Sequence, residues 1–188
     1  MMINVSRYSL VRSILVVIFT VYMAMSQTMG PYDFEIRTFE NCERHAGDKI
    51  LFESRMNKYN RSIYTISAQV YLGIDADDSL TAHVDLALFT NGGWKENFYK
   101  QKFTEGCSTI RRLAPKPVAS ILKSVGLEDR CPFPKGNYTL KAWPLKFELN
   151  FIPTFFYGKY RFTVMIKKDD RRIGCLRTVV DIIPKKKH

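Results

Sequence analysis

The sequence predicts an all-β protein: two antiparallel sheets packed as a β-sandwich or opened into a β-cup, with one short amphipathic helix. Three observations predict it. Tyr64, Ile66, Ala68, Val70 and Leu72 alternate with Thr65, Ser67, Gln69 and Tyr71, the two-residue period of a strand with one buried face. Glycine, asparagine and aspartate punctuate such runs where hairpins turn. Only one segment carries a helical period.

Taken in order, residues 1–26 read as a secretory signal, to be set apart from the fold. Arg7 and Arg12 precede an apolar run from Ile14 to Ala24 broken only by Thr20, and Ala24 and Ser26 are small residues before Gln27. That run is shorter than the roughly 20 residues a bilayer span needs. Residues 27–188 are then expected to form one exported domain. The tail Lys185-Lys186-Lys187-His188 reads as solvated charge rather than a retention signal.

The whole chain carries a net charge of +11. Arg7 and Arg12 leave with the signal, so the remainder keeps about +9, which favours anionic partners, including peripheral contact with membrane surfaces. Salt screens a scattered charge to a modest attraction. The basic residues fall in pairs such as Arg111-Arg112, Lys167-Lys168 and Arg171-Arg172 with no nucleic-acid motif, so nucleic acid is not an expected partner.

Strands are expected at 33–41, 49–58, 64–72, 81–90, 94–103, 137–143, 159–168 and 172–183, a number and spacing typical of a sandwich. Asn91-Gly92-Gly93 and Asp169-Asp170 join two pairs of them as hairpins. Asp75-Ala76-Asp77-Asp78 reads as a polar turn, because an EF-hand would need glycine at Leu80 and glutamate at Leu86. After Pro117, the residues Val118, Ile121, Leu122 and Val125 fall on one helical face and Gly126 supplies a stop. This helix either plugs one end of the core or lines a ligand cavity through Leu122.

The four cysteines, Cys42, Cys107, Cys131 and Cys175, form an even set in an exported chain and read as two disulfides, with three pairings open. None sits at the close spacing that zinc sites favour, so no metal is expected. Asn60-Arg61-Ser62 and Asn137-Tyr138-Thr139 are glycosylation sequons, which makes Asn60 and Asn137 candidate surface sites.

Trp143, Phe147, Phe151, Phe155, Phe156 and Tyr157 follow neither period and are interrupted by Pro144, Pro153 and Gly158. Rings on interrupted backbone face a cavity, a partner or a membrane, so these six, with Trp94 after the hairpin turn, are the candidate ligand-binding residues. Phe162 and Tyr160 keep a clean strand alternation and read as core. No catalytic residue is expected. His45, His83 and His188 have no nucleophile elbow or metalloprotease signature around them, and no cofactor is implied.

The motif Cys131-Pro132-Phe133-Pro134-Lys135-Gly136-Asn137-Tyr138-Thr139, the strand entry Phe156-Tyr157-Gly158-Lys159-Tyr160-Arg161 and a last cysteine in the final strand, Cys175, resemble the insect chemosensory proteins called CheB. That family is similar to the ganglioside activator and the wider ML-type lipid-recognition fold. The resemblance covers most of residues 27–188. It implies a β-cup opening onto an apolar space for acyl chains, no catalytic machinery, and pairing of Cys42 with Cys175 and Cys107 with Cys131. The ganglioside activator has further cysteines that this chain lacks, so its additional loop bridges do not carry over.

Two functional classes follow. The first is a secreted carrier of a lipid or long-chain hydrocarbon, which the resemblance places in contact chemosensation, presenting a cuticular lipid or pheromone to a membrane receptor. The second is a secreted β-sandwich that binds a protein partner through its aromatic face.

Overall fold

The computed structural model describes residues 11–18, 29–58, 64–145 and 152–185. Residues 11–18 are helical and exposed, and among the described residues no helix is long and apolar enough to cross a membrane. The strands are β1 (Met29–Gly30), β2 (Tyr32–Asn41), β3 (Ile50–Lys58), β4 (Tyr64–Leu72), β5 (Thr81–Thr90), β6 (Gly93–Phe103), β7 (Gly136–Pro144), β8 (Phe155–Phe156), β9 (Gly158–Lys168) and β10 (Arg171–Pro184). Each expected strand is present within a residue or two. The pair β1 and β8 is additional, a two-stranded ribbon too short for a period to show.

Hydrogen-bonded neighbours run β6-β5-β9-β10-β3-β4-β7, with β2 also on β10. This path is almost severed in the middle. β10 and β3 share one registered pair, Gly174 with Ile50, whereas β2 occupies the same side of β10 from Leu176 to Pro184. The sheet therefore divides into a five-stranded layer, β6-β5-β9-β10-β2, and a three-stranded layer, β3-β4-β7. This all-β, two-layer arrangement agrees with the sequence reading, except that the link between layers is parallel.

Several bonds gather around that link. Lys49 N donates to Ile173 O at 2.7 Å, and Cys42, bonded to Cys175, donates its N–H to Cys175 O at 3.2 Å. Asn41 side-chain groups bond both the N–H and the carbonyl of Phe52, so an amide stands in for a missing strand partner. Beyond it Ser54 Oγ donates to Phe39 O at 2.7 Å.

Two helices occupy the connection from β6 to β7, where the sequence indicated one. They are α1 (Gly106–Leu113) and α2 (Pro115–Ser124). The first escaped detection because only local bonds and tertiary tethers make it. Its eight residues have no capping side chain, and Arg111-Arg112 occupy its last turn. Asp78 accepts from Ser108 N and Oγ at 2.7 and 2.6 Å, and Cys107 is bonded to Cys131. The Asp75–Asp78 turn is thus a clasp. Asp77 binds Ser79 N, and Asp75 accepts from Lys135 N at 2.7 Å. Both disulfides have the pairing that the resemblance implies.

Candidate functional site: the inner faces of the two layers

Registers decide which side chains face inward. In the five-stranded layer Val84, Leu86 and Leu88 lie opposite Val164, Phe162 and Tyr160, which lie opposite Leu176, Thr178 and Val180. Ile36 and Phe34 continue the rows on β2. The face is mostly apolar on β5, β9, β10 and β2, whereas on β6 Gln101 and Lys95 lie opposite Val84 and Leu88. In the three-stranded layer Ile50, Phe52, Ser54 and Met56 lie opposite Leu72, Val70, Ala68 and Ile66.

A bulge completes the second face. The β4–β7 register shifts between Ile66 and Ala68, and Ala142 takes a positive φ of 45°. The extra residue turns both Leu140 and Trp143 inward although they are three apart. Trp143 is 8% exposed and donates Nε1–H to Ser120 Oγ at 3.0 Å, which fastens α2 to β7. Ile121 of α2 and Val125 just after it pack on the same cluster, and Leu122 is buried.

Among the described residues, buried side chains cluster around Ile66, Leu140 and Trp143, around Leu86, Tyr160, Val180 and Ile182, and around Ile50, Leu80 and Ile173. At the middle of the five-stranded layer Val84, Phe162, Val164 and Leu176 stay only half-buried, although they sit on central strands and face inward. A tightly packed sandwich buries such positions. This stretch of apolar wall reaches solvent or an unfilled space.

Aromatic rings line the end away from the Gly174–Ile50 link. Phe34, Tyr32, Phe155, Tyr160 and Phe98 form a chain with successive centroids 5.0, 5.8, 5.4 and 6.2 Å apart. The hydroxyls are turned onto backbone: Tyr32 donates to Ile152 O, Tyr157 to Pro31 O and Tyr160 to Phe156 O. Burial raises the Tyr32 and Tyr160 phenols above their ordinary value, so both remain neutral donors at physiological pH. Phe156 pairs with Met29 on the ribbon and is 56% exposed.

The candidate residues named from sequence separate into four groups. Phe155, Phe156 and Tyr157 gather at this aromatic end. Trp143 is buried where α2 meets the three-stranded layer, and Leu122 is buried on α2. Trp94 lies on the opposite, outer face, 5.2 Å from Phe89 and beneath the Arg161 guanidinium at 4.6 Å. Phe147 and Phe151 lie outside the described residues, as does Asn60. Asn137 is exposed on β7.

A family model described as a protein of unknown function (DUF1091) matches residues 82–162. The match runs from β5 through both helices to β9. Among solved structures, chicken MD-1 complexed with lipid IVa is similar at 18% identity, covering 79% of this chain and 90% of that one, with a TM-score of 0.36. At that score the likeness carries no weight beyond itself. No match is found among curated proteins.

Sequence reasoning passed over Tyr32, Phe34 and Phe98. The first two were within reach, since Tyr32, Phe34 and Ile36 alternate with Asp33 and Glu35. Phe98 was not, because it sits in a bulge of β6 beside Asn97 at a φ of 55°, where it is 41% exposed and its ring reaches Tyr160 at 6.2 Å. Among the described residues no cluster of three or more metal-ligating side chains occurs. Separately, a cleft of about 480 Å³ lies along the α2–β7 connection between Gly126 and Pro134. Its lining includes Glu128 and Arg130, which pair with each other.

Proposed function

We propose that residues 1–26 direct export and that residues 27–188 form a secreted carrier that holds a lipid or long-chain hydrocarbon between the two layers. One observation supports this most. Val84, Phe162, Val164 and Leu176 are inward-facing, apolar and central, yet only half-buried. A surface of this kind, with few polar anchors, suits a hydrocarbon chain.

The energetics are sufficient. Burying about ten methylenes gives roughly 8 kcal/mol at ~0.8 kcal/mol each, before the entropic costs of binding. Selectivity for the head of the molecule then falls to the aromatic end, where Phe155, Phe156 and Tyr157 are the residues proposed to meet it. By resemblance to CheB-type proteins, we assign the carrier to contact chemosensation, solubilising a cuticular lipid and presenting it to a membrane receptor. The resemblance implies no catalysis.

The test is to secrete the protein from eukaryotic cells and identify what co-purifies by lipid mass spectrometry. A stoichiometric hydrocarbon-chain ligand supports the carrier. Protein free of lipid that also fails to displace a fluorescent fatty-acid probe contradicts it and favours a module that binds protein through its aromatic end.

A further inference from the structure

We propose that Asn137 carries an N-linked glycan whose first sugar packs on the ring of Tyr71. The inference depends on export into a glycosylating compartment and is independent of any lipid between the layers.

The register carries it. Asn137 on β7 lies directly opposite Tyr71 on β4, and Thr139 directly opposite Gln69. These residues share the outer face of the three-stranded layer, since Val70, Ala68 and Leu140 take the inner one. Direct cross-strand partners hold their Cβ atoms about 4.5–5.5 Å apart, so a sugar on Asn137 starts within reach of the Tyr71 side chain. Tyr71 is an exposed aromatic, at 45%, on a polar face that also bears Glu53, Arg55, Gln69 and Lys141. Its ring reclines toward Gly73, where an added Cβ would stand 3.2 Å from both Cε1 and Oη.

The chemistry is that of an accessible sequon. The Asn137 amide nitrogen forms a bond to the anomeric carbon of a lipid-pyrophosphate-linked oligosaccharide. The nitrogen loses a proton and the lipid pyrophosphate departs, while the Thr139 hydroxyl completes the acceptor motif. The polarised C–H groups of the attached pyranose then face the electron-rich ring. Because β7 ends the hydrogen-bonded path among the described residues, the glycan also stands beside a sheet edge and hinders its pairing with another chain.

The experiment uses the full chain secreted from eukaryotic cells, with Asn60→Gln so that only Asn137 reports. Glycopeptide mass spectrometry is expected to find Asn137 occupied. Enzymatic removal of the glycan is expected to lower Tm by about 2–4 °C, the shift of roughly 1 kcal/mol in a domain of this size. In Tyr71→Thr the same removal is expected to shift Tm by less than half as much, while Tyr71→Phe, which keeps the ring, retains the full effect. Unmodified Asn137, or an equal loss in Tyr71→Thr and Tyr71→Phe, overturns the proposal. Lipid content measured on the same samples reports on the carrier separately.

Discussion

Gly174 and Ile50 join the two layers, the one registered β10–β3 pair, and a side chain at position 174 would collide with its partner. A Cβ there would lie 2.9 Å from Ile50 Cβ and 3.2 Å from Ile50 O. Gly174→Ala is therefore expected to destabilise the fold by about 1–3 kcal/mol through overpacking. Chemical denaturation checks this, and Gly174→Ala combined with Ile50→Gly, which removes the opposing Cβ, should cost less than the sum of the two single changes.

Arg172 anchors the loop that follows Cys42. Its Nε and Nη2 reach Asp48 Oδ1 and Oδ2 at 3.0 and 2.9 Å, and Nη2 also donates to Glu43 O at 2.8 Å. The Asp48 side chain is 5% exposed and that of Arg172 21%. Removing the cation strands a buried carboxylate, so Arg172→Ala should cost about 2–3 kcal/mol, with some screening by solvent at the arginine. Arg172→Lys should recover little, because an ammonium cannot make the two-pronged contact. Urea midpoints at low and high salt measure both effects.

Ser120 holds α2 to the sheet through one bond from the Trp143 indole. Ser120→Ala leaves a buried N–H unpaired and is expected to cost about 1–3 kcal/mol. Near-ultraviolet circular dichroism should report a changed tryptophan environment while the far-ultraviolet β signal persists. An unchanged melting temperature would show that the indole finds another acceptor.

His83 should make stability depend on pH. Burial, then the charges of Lys167 and Lys102, hold its pKa below the ordinary value, opposed only by Asp170. Its Nε2 is shielded from solvent with no hydrogen-bond partner. As pH falls below about 6.5, the unfolded chain takes up a proton that the native state resists, so stability declines until the lower native value is passed. His83→Gln should flatten that slope between pH 7.5 and 5.5 in urea titrations. A separate loss belongs to Asp77 and Asp78, whose pKa values are lowered by bonds from Ser79 and Ser108. Their contribution is present above the ordinary carboxylate range and disappears only at more acid pH.

Much of this fold is legible in the sequence because strand periods and turn residues act locally. Asp169 and Asp170 take positive φ values of 50° and 57°, as a two-residue hairpin turn requires. What stayed hidden depends on registers that no local pattern encodes. The bulge at Ala142 moves Trp143 to the inner face, and the β5–β6 pairing puts Trp94 on the outer one. Helix α1 has no capping side chain to mark its start and is held by Asp78 and the Cys107–Cys131 bond. The division into two layers rests on β2 displacing β3 from β10 after a single residue pair.

Filling the proposed ligand space is the most direct test of the carrier. Val164→Phe and Leu176→Phe add bulk to inward-facing, half-buried positions of the central strands, and binding of a fluorescent fatty-acid probe is measured alongside Tm. The carrier account predicts that both variants keep or raise Tm while probe affinity falls at least tenfold. Variants that lose about 1–3 kcal/mol of stability, as an already packed core would, in a protein whose wild type binds no probe, would contradict it.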